Sequence, residues 1–273
     1  MVIPFDAGYG ADPFRGLCEN YPDRTVYPAA EFRVEWGPIF HRGRLDGSAR
    51  LLAIGQDPSH NENVVRRILV GEAGRRAQGF FAKLGITRSY VMVNTFLYSI
   101  YAPTAGTTHQ NDPKIIAYRN LWLDALIVGR QIEAVVAFGS LADAAWHKWK
   151  STPHGAATSV AYAHVTHPTQ PESSSGHDPV KLAAATKAML VNWNTAIAGL
   201  RPAITHPDAA VPLVPYGDTF AAAEKPDIPT FDLPAGLPDW MGTEDHWAQR
   251  VGATAKAKRA NITITVPPDQ LPP

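Results

Sequence analysis

A chain of 273 residues, 45% hydrophobic and 18% charged, has apolar content for a packed core and length for one large domain or two small ones. Its 25 basic and 25 acidic side chains give a formal net charge of +0, so there is no global pull toward polyanions, and a local basic face would have to do that work. The single cysteine, Cys18, excludes an internal disulfide, a cysteine-ligated zinc site and an iron-sulfur cluster, so neither a cofactor nor a metal is expected. No apolar run approaches the roughly 20 residues of a membrane span, and the start "MVIPFDAGYG" lacks the basic and apolar regions of a signal peptide. These features predict a cytoplasmic protein with no membrane partner.

Residues 1–48 are rich in aromatics and turn formers and read as a cap, with a helix expected near "AEF" at 30–32. From about Ala49 to Leu200 short apolar runs alternate with helical periodicity, the βαβα signature. The predicted strands are "RLLAIG" (50–55), "YVMVN" (90–94), "AVVAFG" (134–139) and "VAYAHVTH" (160–167); their unbroken apolarity predicts a parallel sheet covered on both faces. Between the first two strands, Ala73, Ala77, Phe80, Phe81 and Leu84 share one helical face. Asp112 and Pro113 open the next helix, whose stripe is Ile115, Tyr118, Trp122 and Ala125; Asp178 and Pro179 open the last, through Leu182, Met189, Trp193 and Ile197. The expected fold is three-layer α/β/α with a central four-stranded parallel sheet in the order 2-1-3-4. Residues 1–200 form that domain with its cap. After Leu200 the chain holds half of the 24 prolines, so 201–273 reads as an extended arm. Phe220, Phe231, Trp240 and Trp247 should pack it onto the core, with "PPDQLPP" fraying and "KAKR" at 256–259 solvated.

Ligands of open parallel sheets bind outside the carboxyl ends of the strands. Here those ends carry Gln56-Asp57-Pro58-Ser59-His60, Asn94-Thr95, Gly139-Ser140 and His167-Pro168-Thr169. Each alone is ordinary turn chemistry. Together they bring an acid, a carboxamide and an imidazole to one edge of one sheet.

On these residues the chain resembles the uracil-DNA glycosylase superfamily. "GQDPSH" is similar to the water-activating motif whose first-family form is Gly-Gln-Asp-Pro-Tyr-His, "VMVNTFL" to the uracil-reading strand ending in Asn, and "VTHPTQP" to the His-Pro-Ser loop. "ILVGEAGRRAQGFFAKLGI" and "VVAFGSLADAAW" are similar to segments of other bacterial branches. The resemblance covers about residues 50–199. It implies a monofunctional, monomeric enzyme acting on DNA that contains uracil or abasic sites. Asp57 and His167 would be catalytic, and Gln56, Asn94, Ser59 and Leu69 would surround the base. Ser140, Thr169, Gln170, Pro171 and Ser173 would meet DNA, and Arg66 and Arg67, with Arg75 and Arg76, would form a basic lip.

Two departures bear on selectivity. Ser59 stands where the first family has a thymine-excluding tyrosine, and Leu69 where related sequences have a stacking phenylalanine. Phe80 and Phe81 are substitutes whose spacing places them in the core. His109, in "YAPTAGTTHQNDPK", lies where one covalently trapping branch has a histidine, which makes it a candidate nucleophile. The alternatives are a binder of uracil or abasic sites with slow turnover or covalent capture, and an unrelated hydrolase of a small metabolite, for which no Gly-x-Ser-x-Gly elbow, phosphate loop or dinucleotide fingerprint is present.

Overall fold

A computed structural model describes residues 8–101 and 103–271. Five strands form the central sheet: β1 (His41–Gly43), β2 (Leu51–Gly55), β3 (Tyr90–Asn94), β4 (Ala134–Phe138) and β5 (Ala161–Val165). Their order is β1-β3-β2-β4-β5, with β2 to β5 parallel and β1 antiparallel on β3. The four parallel strands thus lie 2-1-3-4 in the predicted numbering, but the sheet has five strands and not four. The added strand reads His-Arg-Gly, with no β-branched residue to announce it, and it is defined only by its pairing with Val91, Met92 and Val93.

Every residue of β2, β3 and β4 is buried, as strands covered on both faces must be. Their two-residue alternation divides the core. Leu52, Ile54, Val91, Val93, Val135 and Ala137 face one layer; Leu51, Ala53, Tyr90, Met92, Ala134 and Val136 face the other.

The helices in chain order are α1 (Phe14–Glu19), α2 (His60–Val65), α3 (Gly71–Lys83), α4 (Pro103–His109), α5 (Pro113–Ile127), α6 (Ser140–Lys150), α7 (Pro153–Ala157), α8 (Gln170–Ser175), α9 (Pro179–Leu200), α10 (Trp240–Thr243) and α11 (Ala255–Ala260). Helices α1, α5 and α6 cover the first face through Phe14, Trp122, Trp146 and Trp149, and α3 and α9 cover the second through Phe80, Phe81 and Trp193. Asp112 caps α5 by accepting from the Lys114 and Ile115 amides at 2.8 and 3.2 Å; Asp178 caps α9 in the same way. The helix of the N-terminal cap is α1. Residues 30–32 form a turn and an isolated bridge from Phe32 to Ile100, so the helix expected there is absent.

Beyond α9 the chain crosses the sheet's second face. Tyr216 and Phe220 pack on Trp193, and Asp208 accepts from the backbone amides of Thr87, Arg88 and Ser89. Asp232, 2% exposed, meets Arg42 of β1 at 3.1 Å and accepts from the Tyr90 hydroxyl at 2.6 Å. A buried guanidinium needs such a partner, so the arm supplies the counter-charge of the sheet's edge strand. Farther on, Met241 and Trp247 form a small core with Val65, Val70 and Ile228. The arm ends in a short ribbon of β6 (Ala248–Gln249) and β7 (Thr263–Ile264). Among the described residues no helix is long and apolar enough to cross a membrane.

Candidate active site

Parallel strands deliver their carboxyl ends to one edge, and here that edge carries an enclosed crevice of about 230 Å³. Gln56 and Asp57 reach it from the end of β2, Asn94 from the end of β3 and His167 from just beyond β5. Leu69, Val70 and Ala73 supply an aliphatic side.

The parallel register sets Gly55 beside Asn94. A Cβ at position 55 would stand 2.2 Å from Asn94 Oδ1, so only glycine leaves room for the carboxamide. Asn94 is 7% exposed, and its Nδ2 has no hydrogen-bond partner among the described residues. Leaving a buried amide unpaired costs about 1–3 kcal/mol, a cost that a ligand would remove. Gly55→Ala is therefore expected to turn the carboxamide away and cut turnover at least tenfold, while the melting temperature falls only by the few degrees typical of overpacking. Steady-state kinetics and a thermal melt check this.

Asp57 follows on the loop after β2, and its Oδ2 accepts the Ile100 amide at 2.9 Å. Burial pushes its pKa up to about 6, with the Ile100 amide and the charges of Arg250 and Arg33 holding it back. The carboxyl is thus ionised at neutral pH and close enough to neutrality to accept a proton.

His167 stands on a loop pinned from α9, where Asn192 accepts the Thr166 amide at 2.8 Å and the Trp193 indole donates to the Thr166 carbonyl at 2.9 Å. Its Nδ1 accepts from the Thr169 amide at 3.3 Å, with the Thr169 hydroxyl at 3.2 Å. Burial, then the charge of Arg76, pushes the His167 pKa down to about 4. The ring is therefore neutral at pH 7, and with Nδ1 accepting, its proton sits on Nε2 as a donor. Gly139 lets this loop close on β2. Its φ is +90°, and a Cβ there would lie 3.0 Å from Gln56 Oε1 and 3.2 Å from His167 Cβ.

Several lining residues were not singled out in the sequence. Glu62, 3% exposed, accepts the Ser59 amide at 2.5 Å and the Leu69 amide, and so ties both ends of the base-side loop. The Ser59-His60-Asn61-Glu62 spacing is a capping-box pattern and was legible as such. Burial pushes the Glu62 pKa up to about 8, against the pull of its amide donors. Asp245 and His246 reach the crevice from the arm, where nothing local in the sequence marks them.

Ser59 is the exposed N-cap residue of α2 on the rim, and Leu69, buried at φ +51°, forms part of the wall. Phe80 and Phe81 are wholly buried in the core and do not face the crevice. Ser140, at the start of α6, lines an adjoining hollow of about 560 Å³ with Thr169, Gln170 and Ser173. Residues 170–175 are helical, not a loop; Pro171 is buried within α8, which leaves the exposed Gln170 as the residue on that side able to intrude into DNA. The Ser173 hydroxyl donates to the Gln170 carbonyl.

The arginines do not form the lip that their clustering implied. Arg66 donates to the Trp36 and Pro38 carbonyls at 2.6 and 2.5 Å, and Arg67 to the Arg66 carbonyl at 3.0 Å. Arg75 is paired with Asp227 and Asp245, and Arg76 with Glu72 and Glu172. Arg76 also donates to the Pro168 carbonyl at 2.5 Å, so it positions the loop that carries His167. His109 is not among the residues lining the crevice; its Nε2 is bonded to Glu31 at 2.6 Å and its ring lies against Phe32. Among the described residues no three His, Cys, Asp or Glu side chains gather as metal ligands do.

Comparison with protein-family models gives no match for this chain, and comparison with curated proteins gives none either.

Proposed function

We propose that the crevice hydrolyses the N-glycosidic bond of a flipped-out uracil nucleotide in DNA and leaves an abasic site. One observation carries the reading: an ionisable carboxyl, a buried carboxamide with an unpartnered amide nitrogen and a neutral imidazole, held at three strand ends, line one small cavity. Breaking this bond develops positive charge on the sugar and negative charge on the departing base, and each needs a fixed counterpart. Asp57 stands for the first. As a carboxylate it orients the attacking water and stabilises the sugar cation; the water oxygen bonds to C1′ as the carbon–nitrogen bond breaks, its electron pair leaves with the base, and Asp57 accepts the water's proton. His167 stands for the second, donating from Nε2 to the base oxygen on which anionic charge collects.

Asn94 reads the base. Its oxygen accepts from the ring N–H of uracil and its Nδ2 donates to the neighbouring carbonyl, whereas cytosine offers the reverse polarity, a mismatch worth about 1–3 kcal/mol. The aliphatic wall of Leu69, Val70 and Ala73 holds the ring without aromatic stacking. Ser59 at the rim offers no bulk against a thymine methyl, so selectivity against thymine is expected to be weaker than a tyrosine would impose.

The test is incubation with uracil-containing and uracil-free oligonucleotides, single- and double-stranded, followed by alkaline cleavage. Strand breaks confined to the uracil substrates support the reading; none on any substrate overturns it. The pH profile adds a sharper prediction. Because the working form of Asp57 is the carboxylate and its pKa lies near 6, kcat/KM should fall about tenfold per pH unit below 6 and level off above it. Since His167 is neutral throughout that range, no second limb should arise from it down to about pH 5.

A further inference from the structure

Beside the crevice lies a more open hollow of about 330 Å³ that shares Gln56, Asp57, Ser59 and His167 with it and adds Arg33 and Arg250. These arginines come from opposite ends of the chain. Arg33 precedes the single 3-10 turn Val34–Trp36 of the N-terminal cap, and Arg250 follows β6 of the C-terminal arm. Nη1 of Arg33 and both Nη1 and Nη2 of Arg250 are buried with no hydrogen-bond partner among the described residues.

More positive charge backs them. The Tyr101 ring has the Arg33 guanidinium 4.0 Å from its centroid and that of Arg259, from α11, at 3.3 Å. The facing acids are Asp57 and Glu35, and Glu35 accepts from the Tyr101 hydroxyl at 3.1 Å. Burial pushes the pKa of Arg250 down to about 10, and the charge of Arg33 pushes it further in the same direction. Like charges gathered with unpaired donors destabilise a fold unless an anion joins them. A guanidinium fork matches the oxygens of a phosphate group best of the common anions.

We propose that Arg33 and Arg250 clamp a phosphate group, the backbone phosphodiester adjoining the nucleotide whose base fills the crevice. This rests on the nucleotide reading of the crevice, and it follows the order of the substrate's own parts: base between Asn94 and His167, sugar over Asp57, phosphate at the arginines. The C-terminal arm is then a working part of the DNA-binding surface. It replaces the basic lip that Arg66, Arg75 and Arg76 cannot form, because their guanidinium groups are spent on other partners.

The experiment compares wild type with R33Q/R250Q in two assays. Fluorescence anisotropy follows binding of a single-stranded oligonucleotide bearing a tetrahydrofuran abasic analogue, which cannot be cleaved, over a series of salt concentrations. Thermal shift follows inorganic pyrophosphate. The double variant should bind the oligonucleotide at least tenfold more weakly, with a log–log salt slope smaller by about 1.4 for two lost phosphate contacts on a single strand. It should lose the pyrophosphate shift and, without ligand, melt no lower than wild type. Unchanged affinity and slope in the variant overturn the clamp even where uracil cleavage by wild type upholds the enzymatic reading. A pyrophosphate shift that depends on both arginines, in a protein that neither binds nor cleaves DNA, upholds the phosphate site and overturns the nucleotide reading. No binding of either probe by wild type overturns the clamp, and so does a ligand-free variant that melts several degrees lower, since the arginines would then be structural.

Discussion

Asp57→Asn should lower kcat/KM on uracil-containing DNA by roughly 10²- to 10⁴-fold, the range that a positioned acid or base commands. The residual rate should lose its acid limb near pH 6, since the group that titrates is gone. Asparagine keeps an oxygen for the Ile100 amide, so the loop after β2 has no reason to move. The same substitution should make the protein more stable. Burial raises the folded-state pKa of Asp57 from its ordinary 3.8 to about 6, so the stability this group contributes is complete below pH 3.8 and is lost as the pH rises through 6. At pH 8 the ionised carboxylate is a net cost. A neutral amide removes up to about 3 kcal/mol of it at 1.36 kcal/mol per pKa unit. A higher melting temperature in a nearly inactive variant would show a carboxylate held in a costly state for its chemistry; a lower one, with activity retained, would remove Asp57 from the mechanism.

His167→Ala is expected to cost roughly 10²- to 10³-fold in kcat, the usual loss for one donor aimed at a developing anion. KM should change less, because the interaction strengthens only as charge reaches the base. The imidazole is neutral above about pH 5, so the variant should keep the acid limb of Asp57 unshifted. His167→Gln, which retains an N–H donor on a longer arm, should fall between the two. Equal activity in wild type and His167→Ala would leave the leaving base without its counterpart and sink the assigned role.

What could be read in the sequence follows from how local its causes are. The four parallel strands were legible because burial on both faces writes itself as continuous apolar runs, and the starts of α5 and α9 because Asp-Pro is a cap and a first-turn residue in two letters. Asp57, Asn94 and His167 were legible because strand ends of a parallel sheet share an edge. The strand His41–Gly43 was not, since a three-residue polar strand exists only through its partner and through the Asp232 that neutralises Arg42 nearly two hundred residues away. Nor were Arg33 and Arg250, whose meeting depends on how two irregular segments wrap around the sheet. The arginines at 66, 67, 75 and 76 misled in the opposite way. Their local density implied a surface for a ligand, and the fold uses these side chains internally, tying carbonyls and pairing with acids of the arm and of α8.

The embrace of β1 by Asp232 has a consequence for the order in which the molecule is made. On the ribosome Arg42, Asp57, Asn94 and His167 are all synthesised long before Asp232 and Arg250. Until those later residues emerge, the sheet's edge carries a guanidinium without its counter-charge, and the hollow beside Asp57 has only half of its cationic rim. A nascent chain therefore holds every residue needed to attack a glycosidic bond before it holds those that complete the fold and grip a DNA strand, which delays the appearance of activity until synthesis has passed Arg250.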